Sequence, residues 1–165
     1  MDAMNEDADK EKPGHDFGHG YGPGSAESGQ ADSLAESSPD GGGGGLILKE
    51  EVYQIVGCAF AVLNELGHCG KEKIYENAIT VEMKARGIPF EQQRQWPVYY
   101  REEKVGFVVP DLVAFDSVIV DTKVVPEISD RERWQMLNYL RITRLRVGVI
   151  LNFYRPKLEW TRLVL

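Results

Sequence analysis

From about Leu46 onward the chain switches between two hydrophobic periods, and each predicts an element. Val52, Ile55, Val56, Phe60, Leu63 and Leu66 recur at helical spacing and predict a helix that stops at Gly67. Ile74, Ala78, Val81 and Ala85 repeat that spacing and predict a second helix over residues 71–86, with Gly87 just past its end. The pattern then changes. Residues 95–101, 105–115 and 117–125 are dense in β-branched and aromatic residues and predict extended segments. A helical pattern returns over 130–143, opened by Asp130 at or near the N-cap, and residues 147–153 and 158–165 predict closing strands. Strands with helices before and after predict an α/β fold with a mixed central β-sheet flanked by α-helices.

Within this pattern, charged residues fall where a buried strand should carry none. The run VGFVVPDLVAFDSVIVDTKVV covers residues 105–125 and breaks at Asp116 and Ser117, which predicts a hairpin. Successive strand residues face opposite ways, so Asp121 and Lys123 share a face and Thr122 looks away. A connection with an odd number of residues sets Asp111 across from Asp121. A two-residue turn would pair Asp111 with Thr122 and separate the carboxylates.

Composition changes this picture mainly at the N-terminus. Residues 1–45 hold ten acidic residues against Lys10 and Lys12, a balance of −8, while residues 46–165 hold 16 acidic and 17 basic residues, a balance of +1. The overall charge of −7 therefore reflects the first segment and does not exclude a nucleic-acid partner. Residues 1–45 have almost no aliphatic residues and end in five glycines; they are expected to be a disordered acidic tail, with residues 46–165 forming the domain. His15, Asp16 and His19 lie close together there and are given no role. Two cysteines, Cys58 and Cys69, make no disulfide framework. No apolar run reaches the length of a membrane span and the acidic N-terminus resembles no leader, so the expected setting is intracellular, cytoplasmic or, in a eukaryote, nuclear.

Asp111, Asp121 and Lys123 make chemical sense together. Two carboxylates can hold a hard divalent cation against a phosphodiester, and a lysine beside them can orient water or stabilise developing charge. Neighbouring carboxylates favour the charged lysine, which points to orientation rather than a free general base. The same three residues could also be strand-end charges with a salt-bridge partner. Glu72, in the first turn of the second helix, can add a carboxylate or simply complement the helix dipole. Gln135 and Tyr139 are four apart and share a helical face that could reach a substrate or merely bound the core.

In order, these motifs resemble the GxxExxY family, a small-protein branch of the PD-(D/E)XK nuclease superfamily. The resemblance covers residues 48–165. It rests on Gly67, Glu72 and Tyr75 in LGHCGKEKIYENA, the extended RGIPFEQQRQWPVYY, the core PDLVAFDSVIVDTK, Gln135 and Tyr139 in RWQMLNYL, and Asn152 and Phe153 near the end. Two departures stand out: the second glycine is displaced to Gly70, and Asp121 stands where the family usually has Glu. The resemblance implies a restriction-endonuclease-like core. It implies Asp111, Asp121 and Glu72 as metal ligands, Lys123 as the catalytic lysine, and, as in the RecB-like branch, Gln135 and Tyr139 as substrate-positioning residues. The implied activity is Mg²⁺- or Mn²⁺-dependent hydrolysis of phosphodiester bonds in DNA or RNA. The alternative is a catalytically inactive nuclease-fold module that binds nucleic acid or a protein.

Other residues have two readings each. Trp96, Tyr99 and Tyr100 could stack bases, although strand aromatics more often fill a core. Arg141, Arg144 and Arg146 could grip phosphates or complement a helix end. His68 and Cys69 lack a second Cys/His pair at ligand spacing and read as loop residues. Nucleic acid is thus the expected partner and a membrane is not. A homodimer would let such a domain cut two strands, and the acidic tail could dock an unknown partner.

Overall fold

A computed structural model describes residues 46–165 of the protein. The segment 1–45, with His15, Asp16 and His19, lies outside the described residues. The first helix, α1 (Lys49–Leu66), ends as its glycine predicts: Gly67 has φ 60 and its N–H donates to the Leu63 carbonyl at 2.8 Å. The second, α2 (Glu72–Ala85), ends in a Schellman closure. Gly87, at φ 68, donates to Lys84, and the Ile88 N–H donates to Met83.

The phase of α2 differs from the expected one. Its buried residues are Tyr75, Glu76, Ile79, Thr80 and Met83, whereas Ile74 and Val81 are exposed. A stripe one position along lies about a quarter-turn round the helix, and Tyr75, Ile79 and Met83 bury far more area than a stripe containing two alanines. In α1 the core takes Cys58, Ala59 and Val62, leaving Phe60 and Leu66 outside.

The extended region also divides differently. After β1 (Phe90–Gln92), the strands β2 (Trp96–Tyr100) and β3 (Glu103–Val108) form a two-stranded antiparallel sheet of their own. The run expected as one segment over 105–115 breaks at Val109 and Pro110, where proline offers no N–H to a ladder. It restarts as β4 (Leu112–Ala114), followed by β5 (Val118–Lys123). With β6 (Val147–Asn152) and β7 (Glu159–Val164) these complete a five-stranded sheet ordered β1-β4-β5-β6-β7. β5 and β6 pair parallel and the other neighbours antiparallel, so the sheet is mixed, as expected for a restriction-endonuclease-like core.

One face of this sheet, with Val118, Val120 and Leu151, packs on α1 and α2. The other, with Val113, Ile119 and Ile150, packs on α3 (Asp130–Thr143) through Met136 and Leu140. Gly148 permits that approach, because a Cβ there would run into the Met136 side chain. The N-cap of α3 is Ser129, one residue before the expected Asp130. Glu132 accepts from the Ser129 N–H at 3.0 Å, and Ser129 Oγ accepts from the Arg131 N–H at 3.3 Å. Among the described residues, no helix is long and apolar enough to cross a membrane.

Candidate active site

The β4–β5 connection contains three residues, Phe115, Asp116 and Ser117, with the first two in left-handed conformation (φ 54 and 53) and Ser117 N–H donating to Ala114 at 3.1 Å. Left-handed central residues match the twist of paired strands. The resulting pairs are Ala114↔Val118, Val113↔Ile119 and Leu112↔Val120. Asp111 lies one residue beyond the last pair of this ladder, Leu112↔Val120.

Asp121 is 1% exposed, with Lys123 Nζ 2.6 Å from its Oδ2. The ammonium is thus the charged partner of Oδ2. Burial pushes the Asp121 carboxyl up to about 7; Lys123 opposes this, and the negative charge of Asp111 adds to it. For Lys123, burial acts to lower the pKa, but Asp121, Glu72 and Asp111 together hold it above the ordinary lysine value. The amine therefore stays a cation. Thr122 fixes Asp111 from the neighbouring strand: Asp111 Oδ2 accepts from the Thr122 N–H and Oγ1, each at 2.8 Å.

Glu72 approaches from the start of α2 and meets Lys123 Nζ at 3.8 Å. Burial raises its pKa, Lys123 opposes, and Asp111 raises it further. On the other side, Gln135 Nε2 donates to the Tyr139 hydroxyl at 2.9 Å. Burial raises the Tyr139 pKa, the Gln135 bond opposes it, and Asp121 and Asp111 raise it again, which places the phenol within the field of the carboxylates. The six residues singled out in the sequence thus gather at one end of β5. Among the described residues, however, no three Asp, Glu, His or Cys side chains converge as a ready-made cage for a metal ion. The donor set is two carboxylates and a neighbouring amine, with Glu72 turned to the amine.

That set still suits a hard divalent cation, which commonly binds through one or two carboxylates and keeps several waters. The buried Asp121 carboxylate, whose charge burial disfavours even beside Lys123, is the particular feature that a cation would stabilise.

The elements behind the site are themselves tied together. Tyr75 stacks on Phe153 at 4.3 Å, donates to the Gly67 carbonyl at 2.6 Å and accepts from the Cys69 N–H at 2.8 Å. His68 meets Tyr154 edge-on, which makes the His68–Cys69 stretch a structured loop. Asn152 spans strand ends, donating to Val125 O and Glu159 at 2.7 Å and accepting from the Val125 N–H at 3.0 Å. Glu76 is a participant that the sequence reading missed. It is buried one turn after Glu72 and accepts from Lys73 and Gln92 at 2.7 Å and from Gln93 at 3.4 Å, while the Gln93 N–H holds the Asp111 carbonyl at 2.9 Å. Phasing α2 on Tyr75 would have exposed it. Arg141, Arg144 and Arg146 lead into Val147, which pairs with Val118. That is five residues, or about 16 Å, back along β5 from Lys123, so they do not join the site.

A model of the PD-(D/E)XK nuclease superfamily matches residues 49–163. The chain belongs to that superfamily, whose nucleases generally use divalent metals. Among solved structures, the crystal structure of SSO0001 is similar at 13% identity and a TM-score of 0.42, covering 71% of this chain. The chain matches 59% of that protein's length. No curated protein matches the chain significantly.

Proposed function

We propose that this protein is a Mg²⁺- or Mn²⁺-dependent nuclease of the GxxExxY type, hydrolysing phosphodiester bonds in DNA or RNA. The observation that carries this reading is the buried Asp121 carboxylate, paired with Lys123 at 2.6 Å, with Asp111 held by Thr122 of the neighbouring strand. Superfamily membership gives that arrangement its chemistry. In this reading Asp111 and Asp121 hold the cation, with Glu72 as a third acidic group acting beside Lys123. When bound, the cation neutralises charge on the phosphodiester and makes water a stronger nucleophile.

The chain's own groups do the remaining work. Lys123, kept cationic by its carboxylate neighbours, orients the attacking water and stabilises charge that grows on the phosphorus oxygens. Thr122 fixes the angle of Asp111, so one carboxylate oxygen is anchored and the other is left to face the cation. Gln135 and Tyr139, joined to each other and resembling the RecB-like arrangement, position the substrate backbone.

The test is a cleavage assay on single- and double-stranded DNA and RNA with Mg²⁺ and with Mn²⁺. Lys123→Ala and Asp111→Ala should each lower the rate by about a hundredfold or more. Cutting that survives both substitutions, or that persists in a chelator, would sink the assignment. Binding without metal-dependent turnover would point instead to a catalytically inactive nuclease-fold module.

A further inference from the structure

We propose that the β2–β3 hairpin is a stacking platform for single-stranded nucleic acid, which leads an unpaired strand to the carboxylates at its base. This rests on the nuclease reading for what happens at that base, but the binding stands on separate observations. Two-stranded sheets gain little stability alone, and this one hydrogen-bonds to no other strand. Its inner residue Trp96 packs on the α3 core beside Tyr139. Its outer face keeps its large side chains in solvent: Tyr99 is 62% exposed and Phe107 55%, while Tyr100, on the Trp96 face nearer the tip, is 65% exposed. The sequence alone favoured a core for the two tyrosines, and they do not enter one.

Cations stand beside rings on both faces. On the outer face Lys104 pairs with Tyr99 across the ladder; on the Trp96 face the Arg94 guanidinium, which also meets Glu91 at 3.1 Å, lies 4.6 Å from the Trp96 ring centre, and Arg101 lies 5.5 Å from that of Tyr100. The acidic Glu102 and Glu103 are confined to the tip. Lysine is depleted from the buried centres of protein interfaces, whereas alternating rings and cations suit a polyanion with exposed π-faces. A duplex hides those faces, so the unpaired strand is the form this surface fits. Both legs of the hairpin are anchored at the site. Val108 is three residues from Asp111, at most about 11 Å of chain. Trp96 follows three residues after Gln93, whose N–H holds the Asp111 carbonyl.

The test is fluorescence anisotropy of labelled oligothymidylate, oligouridylate and a short duplex, using the full chain in EDTA so that no cleavage can occur. The two single strands should bind more tightly than the duplex, and their ratio separates a DNA from an RNA preference. Tyr99→Ala combined with Phe107→Ala should weaken single-strand binding by about tenfold or more with the melting temperature unchanged, while Tyr99→Phe retains it. Unchanged affinity in the double variant would overturn the proposal. So would an equal loss for the duplex, a fall in melting temperature, or a dimer that sediments apart on Phe107→Ser. Binding with no cutting in Mg²⁺ would leave this platform standing and remove the nuclease reading; cutting with the double variant binding normally would do the reverse.

Discussion

Burying a carboxylate costs free energy unless a cation or donors compensate for lost hydration, and the Lys123 ammonium compensates Asp121 only in part. Its folded pKa of about 7 lies above the ordinary 3.8, so the folded state binds a proton that the unfolded state releases. The stability from that proton is full below about pH 4 and is lost as pH rises through about 7. In metal-free buffer, the melting temperature of Asp121→Asn relative to the parent should therefore rise between about pH 4 and about pH 8. Thermal melts across that range test this; a difference between variant and parent that stays constant with pH would contradict it. The charged residues of the site were legible because charge is conspicuous in a β-rich run. The buried environment that raises the Asp121 pKa was not, since it depends on α3 and on the strands either side.

At the scale of elements, the ends of helices were readable, whereas the hairpin register was narrowed to two alternatives. Gly67 and Gly87 stop α1 and α2 because left-handed backbone is unstrained at glycine. The three-residue β4–β5 connection fixes which residues face one another. The inward phase of α2 was misread because several apolar residues occupy neighbouring stripes, and the choice between them is made by the partner. Tyr75 is the deciding residue: it stacks on Phe153 and closes the loop after α1 through two hydrogen bonds. Tyr75→Phe keeps the stacking but removes the hydrogen bonds to the Gly67 carbonyl and the Cys69 N–H, which water can partly replace at these exposed residues, and should cost about 1 kcal/mol. Urea unfolding should register it as a lower midpoint with an unchanged slope. A wild-type midpoint would mean that the loop is held by other contacts.

For the whole molecule, the site is a place where binding and folding are linked. A cation that binds the folded protein through Asp111 and Asp121 stabilises it by mass action. It must displace the Asp121 proton wherever that proton is present. Mg²⁺ should thus raise the melting temperature more near about pH 8 than near about pH 5.5, and Asp111→Asn should remove most of the gain. A pH-independent shift, or one that survives this substitution, would place metal binding elsewhere. By itself the sequence determined the mixed α/β architecture, the helix ends and the identity of the charged residues, because periodicity and glycine conformation are local, and it left the hairpin register between two alternatives. Only the tertiary structure decided which stripe of α2 is buried and that residues 105–115 divide between two sheets. It also decided that Glu72 turns to Lys123 and that Tyr99 and Phe107 stay outside the core. These outcomes depend on partners distant along the chain, whose packing selects among locally equivalent arrangements.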